Sequence, residues 1–129
     1  AVCTGNIVRN ILPRSLVNPD TTPFGIAAEA DAAVTGNTIS KVPGPAINAG
    51  YGPYLRNVLV TDNVLTDILI GVAVSVAEGA GTAQVSNNLI AGATHAIVGM
   101  AWTEMVDSDL IANVKNYPQL AISGNSVSG

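Results

Sequence analysis

The carboxylates of this chain are the residues whose type best suits acid–base chemistry. A glycoside hydrolase needs two carboxyl groups at a defined separation across the scissile bond. Glu104, Asp107 and Asp109 lie close together, Asp62 is in a predicted turn, and Glu78 stands alone. None of them returns at a constant interval, as a groove across repeated strands would require. The sequence therefore predicts no catalytic residue within this chain.

The other residue types give little support for a metal site or a nucleophilic active site. His95 is the only histidine and Cys3 the only cysteine, so a zinc site of ordinary type is not available. No Gly-x-Ser-x-Gly motif marks a serine nucleophile. Asp107-Ser108-Asp109 is compatible with a fragment of a calcium loop or with a solvated helix start, and we expect the helix start. The sequence predicts neither a cofactor nor a metal.

Aromatic residues give the best candidates for contact with a partner. Tyr51 and Tyr54 flank a Gly-Pro step that marks an exposed corner, and Arg56 follows. Tyrosine and arginine are enriched at interaction surfaces. Trp102 begins a stretch that extends to Tyr117 and provides either a lid or a platform for carbohydrate stacking. We predict Tyr51, Tyr54, Arg56 and Trp102 as binding residues, with a glycan as the candidate ligand.

The elements that position these residues are marked by a short phrase that occurs five times, at residues 3–8, 34–39, 60–65, 85–90 and 122–127. Its fourth position is always asparagine: Asn6, Asn37, Asn63, Asn88 and Asn125. The two central intervals, from position 37 to 63 and from 63 to 88, are both about 25 residues, and such a period indicates repeats that are stacked on one another. We expect the asparagines to adopt a left-handed turn and to form a structural ladder of side-chain hydrogen bonds.

A second phrase keeps phase with the first, at residues 25–28, 46–49, 71–74 and 96–99. Its small and β-branched residues suit strands with one face inward. The two phrases predict an all-β, right-handed parallel β-helix of about five coils, formed by residues 1–129 as one domain. Two insertions interrupt the period. Residues 12–23 are rich in proline and predict a loop. The other, near residues 103–116, predicts a short helix capped by Thr103 or Ser108 and stopped by Pro118, covering the last coil.

Composition narrows the class of protein. Hydrophobic residues make up 48% of the chain but aromatic residues only 4%, which suits a narrow interior of small aliphatic side chains. Net charge is -4 with only five Lys and Arg, so we expect no nucleic-acid partner. The longest apolar stretch is too short to span a membrane, and we expect no membrane insertion. The chain begins and ends within repeats, which favours a fragment, or the ordered part, of a longer exported protein.

Several segments resemble the C-terminal region of the bacterial twin-arginine-translocated uncharacterised repeat proteins; they are residues 50–58, 74–81, 89–93, 96–102 and 118–125. The resemblance covers roughly residues 25 to 129. It implies a pectin-lyase-like right-handed parallel β-helix that is exported in folded form, and thus a periplasmic or extracellular location. It implies no activity, so it assigns no catalytic residue.

These observations favour an exported structural or interaction protein that self-associates end to end through open coil ends. The alternative is a carbohydrate-active β-helix, either a polysaccharide lyase or hydrolase or a non-catalytic glycan-binding module. A groove lined by acids and aromatics from successive coils would favour the enzyme. Loss of glycan binding on replacing Tyr54 or Trp102 would favour the binding module.

Overall fold

The chain is mostly β-structure with parallel sheets, as the sequence predicts for the fold class. The structure is a computed structural model and describes residues 1–12 and 23–129. The proline-rich loop prediction therefore falls largely outside the described residues. The strands are β1 (Val2–Thr4), β2 (Ile7–Arg9), β3 (Ile26–Ala28), β4 (Ala30–Thr35), β5 (Thr38–Ala49), β6 (Arg56–Thr61), β7 (Val64–Ser75), β8 (Ala83–Ser86), β9 (Leu89–Ala101), β10 (Glu104–Asp107), β11 (Leu120–Ser123) and β12 (Ser126–Ser128). The helical elements are α1 (Leu110–Asn113) and two 3₁₀ turns, Gly52–Tyr54 and Val114–Asn116.

The strands form two sheets, and the chain passes from one to the other at each repeated phrase. The first sheet has the order β1-β4-β6-β8-β11, and the second has the order β10-β9-β7-β5-β2. Strand β12 also pairs with β9, and β3 with β5. All these pairs are parallel except β9 with β10. Val34 pairs with Val60, which pairs with Val85, so the register follows the period found in the sequence.

The core lies between the two sheets and is built from aliphatic side chains. Val34, Val60 and Val85 from the first sheet are fully buried, as are the second-sheet residues Ile39, Leu65 and Ile90. Each set occupies one register position on neighbouring strands, so residues of similar size lie above one another. β-branched and leucine side chains pack well on such a surface. The buried core therefore consists mainly of aliphatic side chains.

The tight turns use a different residue from the one that we expected. The left-handed residues are Gly36, Asp62 and Asn87, with φ of 69°, 60° and 56°. Each precedes the motif asparagine, which is not left-handed itself. The prediction that the motif asparagine supplies this conformation is therefore wrong. Glycine, aspartate and asparagine are the residues that tolerate it best, and their place before the motif asparagine frees that side chain for hydrogen bonding.

Only the second half of the insertion near residues 103–116 is helical. Its first half forms β10, which pairs antiparallel with the end of β9 and satisfies backbone groups at that edge. The helix starts later than predicted, at Leu110, and neither Thr103 nor Ser108 is its N-cap. Asp109 is the N-cap, and its Oδ1 accepts a hydrogen bond from the backbone nitrogen of Ala112 at 3.1 Å. Leu110 is fully buried and joins the main core, so α1 covers one end of it.

Within residues 1–12 and 23–129, no helix has the length and apolar character needed to cross a membrane.

Candidate functional site

The five motif asparagines form one row of side-chain hydrogen bonds. Oδ1 of Asn63 accepts from the backbone nitrogen of Asn37 at 2.9 Å and from its Nδ2 at 3.0 Å. Asn88 accepts in the same way from Asn63, at 3.1 and 2.9 Å. Asn37 accepts from Asn6, and Asn125 from Asn88, with every distance 3.0 Å. Each asparagine thus orients the corresponding residue in the neighbouring repeat. We call this set the asparagine row.

The buried side chains of the asparagine row have no free hydrogen-bonding group to offer a ligand. Nδ2 of Asn63 also donates to the carbonyl of Val34 at 3.0 Å, and that of Asn88 donates to Val60 at 3.1 Å. Asn37, Asn63 and Asn88 are each only 1% exposed. Throughout the part of the chain that the structure describes, no buried side-chain nitrogen or oxygen lacks a partner. Because burying an unpaired polar group is costly, this saturation gives the row a structural role.

Three of the four predicted binding residues come together on the outside of the second sheet. The rings of Tyr51 and Trp102 have centroids 5.1 Å apart at an interplanar angle of 79°, and Tyr54 and Trp102 are 6.3 Å apart at 78°. These are edge-to-face arrangements, which aromatic pairs favour. Tyr51, Tyr54 and Trp102 are 44%, 59% and 49% exposed. We call these three residues the aromatic cluster.

Trp102 is held in an unfavourable backbone conformation. It lies at the tip of the β9–β10 hairpin with φ of 58°. A positive φ is an outlier for a bulky side chain and costs on the order of 1–3 kcal/mol. Gly52 faces this ring closely, because a Cβ there would lie 2.5, 2.6 and 2.9 Å from three carbons of the indole. The corner at Gly52 and the hairpin tip therefore pack closely against each other.

The aromatic cluster borders a cavity of about 250 Å³, which we call the outer cleft. Tyr51 and Trp102 line it, together with residues that the sequence did not single out, among them Phe24, Leu69, Met100 and Met105. Asn48 and Thr103 supply polar side chains, and no charged residue is among the described residues around it. A second cavity of about 280 Å³ shares Phe24, Asn48 and Tyr51 with the outer cleft and adds Glu29.

Arg56, the fourth predicted binding residue, does not line the outer cleft. Its guanidinium forms an ion pair with Asp31, and Nε donates to both carboxylate oxygens at 3.2 and 3.1 Å. The hydrogen bond from Arg56 lowers the pKa of Asp31, and the same contact raises the pKa of Arg56. Both side chains are exposed, so this pair connects neighbouring strands at the surface without belonging to the aromatic cluster.

Asp107 anchors the insertion through neutral partners. Its carboxylate accepts from the backbone nitrogen of Asp109 and Nδ2 of Asn113, both at 3.0 Å, and from the Tyr117 hydroxyl at 2.9 Å. Burial acts to raise the pKa of Asp107, but these hydrogen bonds outweigh it and hold the pKa below its usual value. Burial, followed by the hydrogen bond to Asp107, raises the pKa of Tyr117. The carboxylate therefore holds the insertion in place through these three hydrogen bonds.

The remaining candidates for chemistry do not form a catalytic group. His95 lines an open cavity with Ser108 and Asp109, but Asp109 uses its carboxylate to cap α1. Glu78 lies between β7 and β8, away from any repeated position. In residues 1–12 and 23–129, no group of three or more His, Cys, Asp and Glu side chains has the proximity to hold a metal ion.

Two features outside the predicted binding residues carry a signal in the sequence. Met100 and Met105 flank Trp102 in the β9–β10 hairpin, and the expectation of a helix concealed this arrangement. A further row of left-handed residues also follows the period, with Lys41, Asp67 and Gly92 at φ of 57°, 52° and 70°. They are spaced along the chain in the same way as the three central asparagines of the asparagine row. Turn residues compared at that period would have revealed this second corner.

Comparison with known proteins adds no family: no family model, no curated protein and no solved structure matches this chain.

Proposed function

We propose that the two sheets are walls of a right-handed parallel β-helix of about five coils, which acts as an exported interaction scaffold and contacts its partner through the aromatic cluster. The register between paired strands follows the spacing of the asparagine row, and this constancy supports the helical path. Right-handedness is supported by the strong preference of parallel crossover connections for that hand. Export, as well as the periplasmic or extracellular location, rests on the family resemblance.

The conformation of Trp102 is the observation that carries the interaction role. The indole is half exposed although its backbone is left-handed, so the backbone strain offsets part of what the ring gains from packing. Strained residues cluster at functional sites when the surrounding structure fixes them. Here the β9–β10 hairpin and the Gly52 corner fix the ring beside a cleft. Rigid placement of aromatic side chains reduces the entropy lost on binding.

The test uses the fact that Trp102 is the only tryptophan of the chain, so its fluorescence reports on the outer cleft alone. Neutral oligosaccharides, proline-rich peptides and small organic cations are titrated while Trp102 emission is recorded. We expect at least one class to change the emission with saturation, and calorimetry to show lost binding in Trp102→Leu. If no class binds, or if binding persists in Trp102→Leu and Tyr51→Leu, the aromatic cluster is not the contact surface.

The carbohydrate alternative makes a different prediction in the same experiment. Glycan-array binding that disappears in Tyr54→Ala and Trp102→Ala would make the protein a glycan-binding module. Catalysis would require loss of polysaccharide cleavage on replacing Glu78 or Asp107. A cavity of about 450 Å³ on the first sheet gives the catalytic version little support. Among the described residues, its lining combines polar and apolar side chains and includes no carboxylate; the polar ones are Asn57, Thr82, Gln84 and Gln119.

Self-association through coil ends is a second candidate role for the scaffold. Cys3, Val8 and Ile26 pack against the core but are only partly buried, although they occupy the positions of fully buried residues in later repeats. Apolar residues on strands at the end of a sheet favour pairing with a further strand. Sedimentation velocity over a wide concentration range tests this role. Growth into larger species supports it, and a single monomeric species at all concentrations rejects it.

A further inference from the structure

The composition of the outer cleft indicates a class of ligand. We propose that the outer cleft binds a quaternary ammonium group, such as the trimethylammonium head of choline. This inference rests on the proposed function, because it uses the same aromatic cluster, and it adds the chemistry that the cluster recognises.

The walls of the outer cleft suit a cation. Tyr51 and Trp102 stand nearly perpendicular to each other, at 79°, and Phe24 supplies a third aromatic side chain. The faces of aromatic rings carry partial negative charge and attract cations, and aromatic cages recognise quaternary ammonium groups in this way. Met100 and Met105 add polarisable sulfur atoms to the same lining.

The charges around the cleft agree with this assignment. Among residues 1–12 and 23–129, no lysine or arginine lines either the outer cleft or the cavity next to it. Within the same ranges, the only charged residue in the two linings is Glu29, which shares the adjacent cavity with Phe24 and Tyr51. The whole chain has a net charge of -4. Among the described lining residues, a positive ligand therefore meets no like charge and has one carboxylate in the adjacent cavity.

The scarcity of polar groups distinguishes a quaternary ammonium ion from the other candidates. A sugar ring or a primary amine loses hydrogen bonds to water on entering a cleft and needs protein partners to replace them. The outer cleft offers few among its described residues, namely the side chains of Asn48 and Thr103 and the hydroxyl of Tyr51. A quaternary ammonium ion has no N–H group to satisfy. The volume of about 250 Å³ also suits a head group rather than a drug-sized molecule.

The experiment compares choline with its uncharged isostere 3,3-dimethyl-1-butanol, which has the same shape without the charge. Both are titrated into the 1–129 chain, with Trp102 emission and calorimetry as readouts. We expect choline to bind about tenfold more tightly than the isostere, since a cation–π contribution of one to two kcal/mol corresponds to roughly that ratio. Equal binding of the two compounds would overturn the proposal, and so would an absence of choline binding.

Variants localise the effect and separate this proposal from the proposed function. Trp102→Leu, followed by calorimetry, is expected to lose choline binding, and Glu29→Gln to weaken it several-fold. Leu89→Ala is the matched control, because Leu89 is an exposed apolar residue on β9 that does not line the outer cleft. Urea denaturation of each variant verifies folding. If oligosaccharides or peptides bind through Trp102 while choline does not, the quaternary ammonium proposal fails and the interaction scaffold stands.

Discussion

The asparagine row and the aromatic cluster are both built at turns, but they treat polar and apolar groups in opposite ways. In the row, buried amides hydrogen-bond to one another and to backbone carbonyls. In the cluster, large aromatic rings stay about half exposed, and one of them is strained. The row recurs in every repeat, whereas the cluster occurs once, where the β9–β10 hairpin and the Gly52 corner interrupt the period.

This difference separates residues that serve the architecture from residues available for contact. A repeated position has the same neighbours above and below, so its interactions are satisfied within the stack. A position that departs from the repeat has no counterpart in the next strand, and part of its surface is left for another molecule. Substitutions should therefore reduce stability most in the asparagine row and affect binding most in the aromatic cluster.

The largest effect is expected from Asn63→Ala. This change removes the acceptor for two groups of Asn37 and the donor to Val34 and Asn88, and all these hydrogen bonds are buried. Buried unpaired groups cost about 1–3 kcal/mol each, so we expect a loss of roughly 3–5 kcal/mol in unfolding free energy. Urea denaturation measures it. Asn6→Ala, at the exposed end of the row, is the control and should cost far less; equal losses would contradict the row's role.

Gly52→Ala should have the next largest effect. A methyl group at this position would overlap the Trp102 ring and would occupy a φ of 54°. We expect a loss of about 2 kcal/mol and a change in Trp102 emission. The double variant with Trp102→Ala separates the two causes. In that background the steric part disappears, and the substitution should cost only the backbone strain, about 1 kcal/mol. An unchanged cost would show that the ring and the glycine are not coupled.

Asp107→Asn should change the pH dependence of stability. Because the folded pKa of Asp107 lies below its unfolded value of roughly 3.9, ionised Asp107 stabilises the native state above that pH. The contribution is lost as pH falls through the lower, folded pKa. Thermal melts from pH 6 to 2 should show the parent losing more stability below about pH 4 than Asp107→Asn does. Parallel curves for the two proteins would mean that the carboxylate makes no net contribution.

Trp102→Gly should leave stability nearly unchanged, within about 1 kcal/mol. The variant loses packing of a half-exposed ring but relieves a left-handed conformation that glycine adopts freely, and these effects oppose each other. Urea denaturation supplies the measurement, and calorimetry with choline supplies the binding readout. A loss of stability comparable to that of Asn63→Ala would place Trp102 among the structural residues and would remove the contrast between the two regions.

Arg56→Met should give the smallest effect. The ion pair with Asp31 is exposed on both sides, so water and salt weaken it. We expect a small fall in melting temperature at low ionic strength that disappears at high salt, with no change in binding at the outer cleft. A large effect that persists in high salt would show that the pair contributes more than its surface position allows.

Much of the architecture could be predicted because repetition reinforces a weak local signal. A single Val-Thr-Gly-Asn sequence is compatible with many turns, but five copies in phase fix the strand positions and the inward residues. The all-β class and the parallel pairing followed from this pattern. Non-repeated segments lack such support. For this reason, the apolar spacing near residues 105–114 suggested a longer helix, whereas edge pairing with β9 converts Glu104–Asp107 into a strand.

The sequence by itself determined the period, the all-β class and the strands with one face inward, because these depend on alternation and on equivalent positions that recur. Tertiary structure decided which residue of each turn is left-handed and which aromatic residues meet. It also placed Phe24, Met100 and Met105 around one cleft and paired Arg56 with Asp31 instead of the tyrosines. These contacts join residues from different repeats. Arg56 follows Asp31 by 25 residues and so keeps the period, but the period does not show which side chains meet. The distances between these side chains depend on how the chain packs, and a local sequence pattern does not indicate them.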